Sequence, residues 1–320
     1  MIRFLCYTIL LKRGRTAVKQ SSRRELRKEH QQRFRKKTLL VSLVFIALAL
    51  LLNVGLIFQN HNPLSQKTDV MNPIKNIPNI FKSTSISSQL KHQWKQDLKG
   101  SDSNVAIAVY STKTGETYTY NTTPGHKYHT ASTVKVSVLA GALLKNNGDL
   151  DSEGRDDAKQ MIENSDNDAT TELINNYLGG TDGLQDTFNQ FQMSNTQAHE
   201  AWGMTTTTPA DQIKLLNNIF FSSTKLSDSS RNYIKSLMSN VETDQQWGIS
   251  AGSNDFALKN GWLDQDDGSG KWIINSIGYI NGSHNNDYTI AVYTDDNSSM
   301  SSGEKLIEKL ARSTRHIMDH

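Results

Sequence analysis

The hydrophobic pattern first singles out residues 39–58, LLVSLVFIALALLLNVGLIF, a run of twenty residues without a charge. At about 1.5 Å per residue, a helix of this length spans a hydrocarbon core of about 30 Å. Four of the five residues 33–37 are Arg or Lys, and no Lys or Arg follows the run until Lys67. The positive-inside rule therefore predicts a single-pass helix in the cell membrane, with a cytoplasmic N-terminus and the bulk of the chain outside. A cleaved signal peptide is the alternative, and the length of the apolar run argues against it.

After this run the chain is polar and contains prolines at positions 63, 73 and 78, which is typical of a tether. An amphipathic helix begins near Ser88, and runs rich in β-branched and aromatic residues occur early and late in the remaining chain. These strand-like runs are Val105–Tyr110, Thr117–Tyr120, Phe256–Trp262, Trp272–Ile280 and Tyr288–Tyr293. Helical patterns lie between the second and third runs, and a final one covers Glu304–Met318.

This order predicts an α+β fold, with an antiparallel sheet of about five strands flanked by terminal helices. An inserted all-helical subdomain would carry the central apolar helix. The predicted domains are a basic cytoplasmic leader (1–38), the transmembrane helix (39–58), an extracytoplasmic tether (59–86) and a folded domain (87–320).

Charge is distributed unevenly between these segments. Residues 1–38 hold thirteen Lys/Arg and two Asp/Glu, about +11, whereas the rest holds 22 basic and 30 acidic residues, about −8. The basic leader therefore fits a topology signal at the inner leaflet, and no nucleic-acid partner is expected. The single cysteine, Cys6, lies on the cytoplasmic side, so the outer domain has neither disulfides nor thiolate metal sites.

The first candidate for chemistry is Ser132, which stands three residues before Lys135 at the start of the apolar run 136–144. This spacing puts both side chains on one helix face, a turn apart, as a nucleophile and its proton acceptor require. Burial would lower the pKa of Lys135, and the Ser132 N–H, free of an intrahelical partner, could donate to an oxyanion. S-x-x-K also occurs at Ser88, Ser222 and Ser302, so the motif alone decides little.

Two later motifs add weight in combination. Ser165-Asp166-Asn167 lies between two predicted helices, where by itself it would be a cap or an Asx turn. Lys259-Asn260-Gly261 lies on a predicted strand, where the glycine suggests close approach of another backbone or a ligand. S-x-x-K, S-D-N and K-x-G in this order form a known set of catalytic motifs.

Two other matches are rejected on their context. Lys113-Thr114-Gly115 precedes the nucleophile and falls in a predicted hairpin turn. Gly248–Gly252 matches the G-x-S-x-G elbow but leads into a strand, whereas that elbow leads into a helix.

On these three motifs, the chain from about Ser88 onward resembles the penicillin-recognising serine hydrolases, most closely the class A β-lactamases. The resemblance implies that Ser132 is acylated, that Lys135 is its base or proton relay, and that Ser165 passes a proton to the leaving nitrogen. It implies no cofactor, and the absence of clustered ligands in the sequence likewise gives no reason to expect a metal.

The remaining roles implied by the resemblance concern substrate binding. Asn167 would bond the substrate amide and help hold Lys135, and Lys259 would supply positive charge for a substrate carboxylate and for Ser165. Gly261 would let a substrate lie along the strand, and the backbone N–H of Trp262 would be the second oxyanion donor.

Two departures from the family pattern bear on the substrate and on turnover. Asn260 stands where the family usually has a hydroxyl residue, and it could still donate to a substrate. Glu200 is the only acidic residue between Asp186 and Asp211 and so the candidate for activating a deacylating water. It lies closer to Pro209 than its counterpart does and lacks the asparagine that follows there, so an exposed loop carboxylate is an equal alternative.

The leading hypothesis is a membrane-anchored, monomeric serine hydrolase that opens the amide of a small-molecule β-lactam through an acyl-Ser132 intermediate. A second hypothesis keeps the chemistry but takes D-alanyl peptides of the cell wall as substrate. A third is a penicillin-binding or vestigial cell-wall module that does not turn over.

Overall fold

A computed structural model describes residues 85–265 and 268–320. The predicted leader, membrane helix and nearly all of the tether lie outside the described residues. Among the described helices, none is long and apolar enough to cross a membrane.

The α+β prediction is confirmed, because five antiparallel strands form one sheet in the order β2-β1-β7-β6-β5. A second, two-stranded sheet pairs β3 with β4. The strands are β1 Asn104–Ser111, β2 Thr117–Asn121, β3 Tyr128–His129, β4 Thr206–Thr207, β5 Phe256–Asp264, β6 Trp272–Ile280 and β7 Tyr288–Asn297. The helices are α1 Ile86–Asp97, α2 Val134–Lys145, α3 Ser152–Glu163, α4 Asn167–Leu173, α5 Thr181–Gln190, α6 Pro209–Phe220, α7 Asp228–Ser239 and α8 Met300–Met318.

The period-two alternation of the strands divides the hydrophobic core between the two faces of the main sheet. Val105, Ile107 and Val109 of β1 pack with the terminal helices α1 and α8. Ala106 and Ala108 of the same strand belong to the core of the inserted helices. The terminal helices are joined by a hydrogen bond from Trp94 Nε1 to Thr314 Oγ1, 2.8 Å long.

Capping residues define where the helices of the inserted subdomain begin. The Asp166 side chain accepts from the Ala169 N–H at the start of α4, at 3.0 Å. Thr208 caps α6, with Pro209 in the first turn as the sequence predicts. Both caps lie next to segments that line the candidate site, so helix initiation and site geometry depend on the same short stretches of chain.

The small β3–β4 sheet joins two loops that the sequence does not predict to pair. Tyr128 lies opposite Thr207, and His129 opposite Thr206. The pairing continues outward, since Gln197 and Thr206 exchange backbone hydrogen bonds of 2.9 and 3.0 Å. Residues 198–205 are therefore held as a closed loop beside the segment that leads to Ser132.

Candidate active site

Ser132 lies in a single helical turn, Ala131–Thr133, that leads directly into α2. Every residue of α2 from Val134 to Leu143 is buried, and the side chain of Lys135 is fully buried among them. The lysines of the other three S-x-x-K matches, at 91, 225 and 305, are all exposed. Burial therefore distinguishes the Ser132 motif from its chance copies.

The ammonium group of Lys135 has three oxygen partners. Its Nζ donates to the Ser165 backbone carbonyl at 2.8 Å, to Ser165 Oγ at 3.1 Å and to Asn167 Oδ1 at 2.8 Å. Burial lowers the pKa of Lys135 to about 7, while the negative charge of Asp166 opposes part of this shift. A substantial fraction of Lys135 is therefore neutral near pH 7, as a proton acceptor must be.

Lys259, on β5, donates to the same hydroxyl of Ser165. Its Nζ donates to Ser165 Oγ at 3.0 Å and to the Asn260 carbonyl at 3.0 Å, and its side chain is fully buried. Burial lowers the pKa of Lys259 well below its ordinary value, and the positive charge of Lys135 lowers it further. Two ammonium groups that share one hydroxyl and are both buried repel each other, which favours loss of a proton from the pair.

The structure thus brings Ser165, Asn167 and Lys259 together around Lys135, although they are up to 124 positions away from it in the sequence. Ser165 has a φ of +55°, in the left-handed region that is uncommon for residues other than glycine. Its hydroxyl can accept from a charged lysine or donate to a neutral one, so it can carry a proton between the two amines.

Gly261 of β5 packs against the backbone of the Ser132 turn. A Cβ at this position would lie 2.8 Å from the Ser132 nitrogen, 2.8 Å from the Thr130 oxygen and 2.9 Å from the Thr133 nitrogen. The close approach suggested by the sequence is therefore to the nucleophile's own backbone. The next residue, Trp262, lines a cavity of about 280 Å³ together with Ser132 and Asn167.

The predicted substrate contact of Asn260 is not what the structure shows. Its amide group donates to the carbonyls of Gln245 and Trp247 at 2.8 and 3.0 Å, and the residue is 1% exposed. Side chains alternate along a strand, so Asn260 points to the face opposite that of Lys259 and Gly261. Asn260 therefore holds the segment 245–247 and does not line the Ser132 cavity.

Glu200 also lies apart from the nucleophile. It is exposed and lines a second cavity of about 280 Å³, with Asn175, Thr181 and Asp182. The bridge between Gln197 and Thr206 closes the loop that carries it, so Glu200 lies on a short projecting loop. Trp202 takes the place beside Lys135 instead, with the centre of its ring 5.1 Å from Nζ.

Asn275 on β6 is a site residue that the sequence analysis missed. Its side chain donates to the carbonyls of His129 and Thr130 at 2.8 and 3.2 Å and accepts from the Thr294 N–H at 3.1 Å. It therefore ties the segment before Ser132 to the middle of the sheet. The signal in the sequence is a polar residue inside the apolar run 272–280.

The two rejected motif matches, residues 113–115 and 248–252, lie in the structural surroundings that the sequence predicts for them. Residues 113–115 form the turn between β1 and β2, where Gly115 has a φ of +70°. Ser250 is 7% exposed and donates to the Gln246 carbonyl at 3.0 Å, so its hydroxyl is engaged inside the fold.

The model of the beta-lactamase enzyme family matches residues 149–319, more than half of the chain. The chain belongs to the beta-lactamase enzyme family. The matched region of this beta-lactamase-family protein includes Ser165, Asn167 and Lys259, while Ser132 and Lys135 precede it. The last two are placed at the site by the packing of α2 against α4 and of the Ala131–Thr133 turn against β5. No curated protein gives a significant match.

Solved structures show the same fold at low sequence identity. TLA-1 extended-spectrum β-lactamase is 21% identical, with a TM-score of 0.65 over 74% of this chain and 100% of that one. A class A β-lactamase from Bacteroides cellulosilyticus is 16% identical, with a TM-score of 0.65 over 74% and 99%. PBP-A is 19% identical, with a TM-score of 0.60 over 72% and 95%. These similarities establish the fold, and the chemistry has to be argued from the site.

Proposed function

We propose that this beta-lactamase-family protein is a serine hydrolase in which Ser132 is acylated by the amide of a β-lactam. The observation that carries the proposal is the buried cluster of Lys135, Ser165 and Lys259 one helical turn from Ser132, in which Lys135 Nζ donates three hydrogen bonds. The lowered pKa of Lys135, about 7, suits a base that must be neutral at working pH and charged after accepting a proton.

In the acylation step, neutral Lys135 accepts the hydroxyl proton of Ser132 as Oγ attacks the amide carbonyl carbon. The backbone N–H groups of Ser132 and Trp262 are the proposed donors to the oxyanion. When the intermediate collapses, the C–N bond breaks and the proton returns from Lys135 through the Ser165 hydroxyl to the leaving nitrogen. Lys259, 3.0 Å from Ser165 Oγ, favours the transfer by repelling the proton held on Lys135.

Hydrolysis is completed when a water attacks the acyl carbonyl and the ester bond to Ser132 Oγ breaks. The products are a carboxylic acid and the free serine, with one proton returned to Oγ. Asn167 lines the Ser132 cavity and already bonds Lys135, so its amide N–H groups are available for a substrate carbonyl.

Similarity to known proteins supports a β-lactam as the small-molecule partner. One structural neighbour is a PBP-A variant solved as an acyl-enzyme complex with penicillin G. A D-alanyl peptide of the cell wall is the alternative substrate, because its acyl group would enter the same cavity and acylate the same serine.

We further propose that residues 39–58 anchor the protein in the cell membrane as a single-pass helix, with the hydrolase outside as a monomer. The uncharged run and the basic residues on its N-terminal side support this placement. Protease treatment of intact cells tests it: the folded domain should be digested while an epitope at the N-terminus is protected, and the reverse pattern would refute the orientation.

The mechanism is tested with the full-length protein in detergent, a labelled penicillin and a chromogenic β-lactam. Stoichiometric label on Ser132, lost in Ser132→Ala and kept in Ser88→Ala, is the expected result. Ser88 is a matched control because it begins an exposed copy of the same S-x-x-K motif. A wild-type protein that takes up no label would refute acylation, and label without turnover of the chromogenic substrate would favour a binding module.

A further inference from the structure

Two cavities of about 280 Å³ each meet at Trp202. One contains Ser132 and Asn167, and the other contains Glu200. Trp202 lines both, so one residue is shared by the cavity of the nucleophile and the cavity of the loop carboxylate. The position of Trp202 therefore matters for hydrolysis of the ester that acylation of Ser132 would form.

The indole is held in place by three sets of contacts. Its Nε1 donates to Thr171 Oγ1 on α4 at 3.3 Å, and its ring covers Lys135 Nζ at 5.1 Å. The turn that carries it is tied to the segment before Ser132, because the Thr130 N–H donates to the Thr205 carbonyl at 2.8 Å. Trp202 therefore contacts α2 and α4 and is fixed to the strand leading into the nucleophile.

Building on the proposed acylation of Ser132, we propose that Trp202 is a positioning residue that keeps Glu200 and the water it could activate away from the acyl-enzyme. A general base must lie within hydrogen-bond reach of the attacking water, and that water within reach of the acyl carbonyl. The indole fills the path between the two cavities, so release of the acyl group is the slow step of the hydrolysis.

Removing the indole joins the two cavities. A water between Glu200 and the ester can then lose a proton to the carboxylate as its oxygen attacks the acyl carbonyl. The ester C–O bond breaks, and the proton passes to Ser132 Oγ, which restores the free enzyme. No other reactant is consumed.

The test uses the full-length protein in detergent, labelled penicillin and a chase with unlabelled penicillin, so that uptake and loss of label are timed separately. Trp202→Ala is expected to lose label at least ten-fold faster than the wild type, and Trp202→Phe to a smaller extent, because its ring still fills the path but lacks the hydrogen bond to Thr171. Trp202→Ala combined with Glu200→Gln should cancel the gain. Trp272→Ala is the matched control: this tryptophan is also half-buried but lines neither cavity.

A second variant covers the case in which Trp202→Ala does not fold. Thr171→Val removes the acceptor of the indole N–H and should speed label loss to a smaller extent, since the ring is released without being removed. Wild-type label loss in both Trp202→Ala and Thr171→Val would overturn the inference, as would a gain that survives Glu200→Gln. A wild-type protein that takes up no label refutes the proposed acylation instead, so the two failures are distinguishable.

Discussion

Replacing Gly261 with alanine should displace the nucleophile. The added Cβ would lie 2.8 to 2.9 Å from three backbone atoms of residues 130–133, whereas ordinary contacts begin at 3.4 Å. The turn or β5 must therefore move by about 0.5 Å, because backbone atoms cannot rotate away as side chains do. Overpacking of this kind costs about 1–3 kcal/mol of the free energy of unfolding. A misplacement of about 1 Å can cost about 100-fold in rate, so a shift half as large should slow acylation about 10-fold.

The assay is the second-order rate of Ser132 labelling, with chemical denaturation to measure the free energy of unfolding. Gly203→Ala is the matched control, because its added Cβ would lie 3.9 Å from Ala131 Cα, the nearest atom outside the adjoining residues. It should leave both quantities close to those of the wild type. A Gly261→Ala protein that is labelled at the wild-type rate would refute the view that this contact sets the position of Ser132.

Three further predictions concern the groups around Ser132. The acylation rate should rise with pH through an apparent pKa of about 7, because neutral Lys135 is the base, and a profile flat across that range would contradict the role. Asp166→Asn should move this rise to lower pH, since it removes the negative charge that raises the pKa of Lys135 while asparagine still caps α4; an unmoved profile argues against the coupling. Asn275→Ala should lower the free energy of unfolding by about 1–3 kcal/mol, measured in urea, because it removes the amide donor to the His129 carbonyl and the acceptor of the Thr294 N–H inside the fold. It should also slow labelling of Ser132, whereas an unchanged rate would limit Asn275 to a role in stability.

The order of strands and helices along the chain follows from hydrophobic periodicity, so the strands of the main sheet and the helical insertion could be predicted from the sequence. The two-residue strands Tyr128–His129 and Thr206–Thr207 could not, because so short a segment carries no period. Their pairing arises from tertiary packing, and it fixes the loop that carries Glu200 and Trp202. For this reason the position of Glu200 relative to Ser132 was beyond sequence reasoning.

The misplacement of Asn260 has a different origin. Its opposite orientation to Lys259 and Gly261 follows from the two-residue period of a strand, so the sequence contained the answer. The predicted substrate contact of Asn260 was based on the family's K-x-G motif and did not take this strand period into account. Trp202, in contrast, is one of three tryptophans, with Trp247 and Trp262, that the sequence allows to line the cleft, but its contact with Lys135 depends on the path of an irregular loop and could not be predicted.

Unfavourable features are concentrated where the chemistry is proposed. Ala131 and Ser165 both have φ in the left-handed region, at +46° and +55°, and each such residue costs on the order of 1 kcal/mol. Burial of Lys135 and Lys259 destabilises their charged forms and so lowers the pKa of both. The parts of the fold that hold the site offset these unfavourable terms: the apolar helix α2, the contact of Gly261 with the turn and the hydrogen bonds of Asn275.

The two buried lysines, Lys135 and Lys259, also make stability depend on pH. Above about pH 7 the folded state binds fewer protons than the unfolded chain, so the free energy of unfolding should rise with pH until the lysines of the unfolded chain titrate. The protein should therefore be least stable at the pH values at which Lys135 and Lys259 are charged. This is expected because burial of an amine that must accept a proton disfavours its charged form.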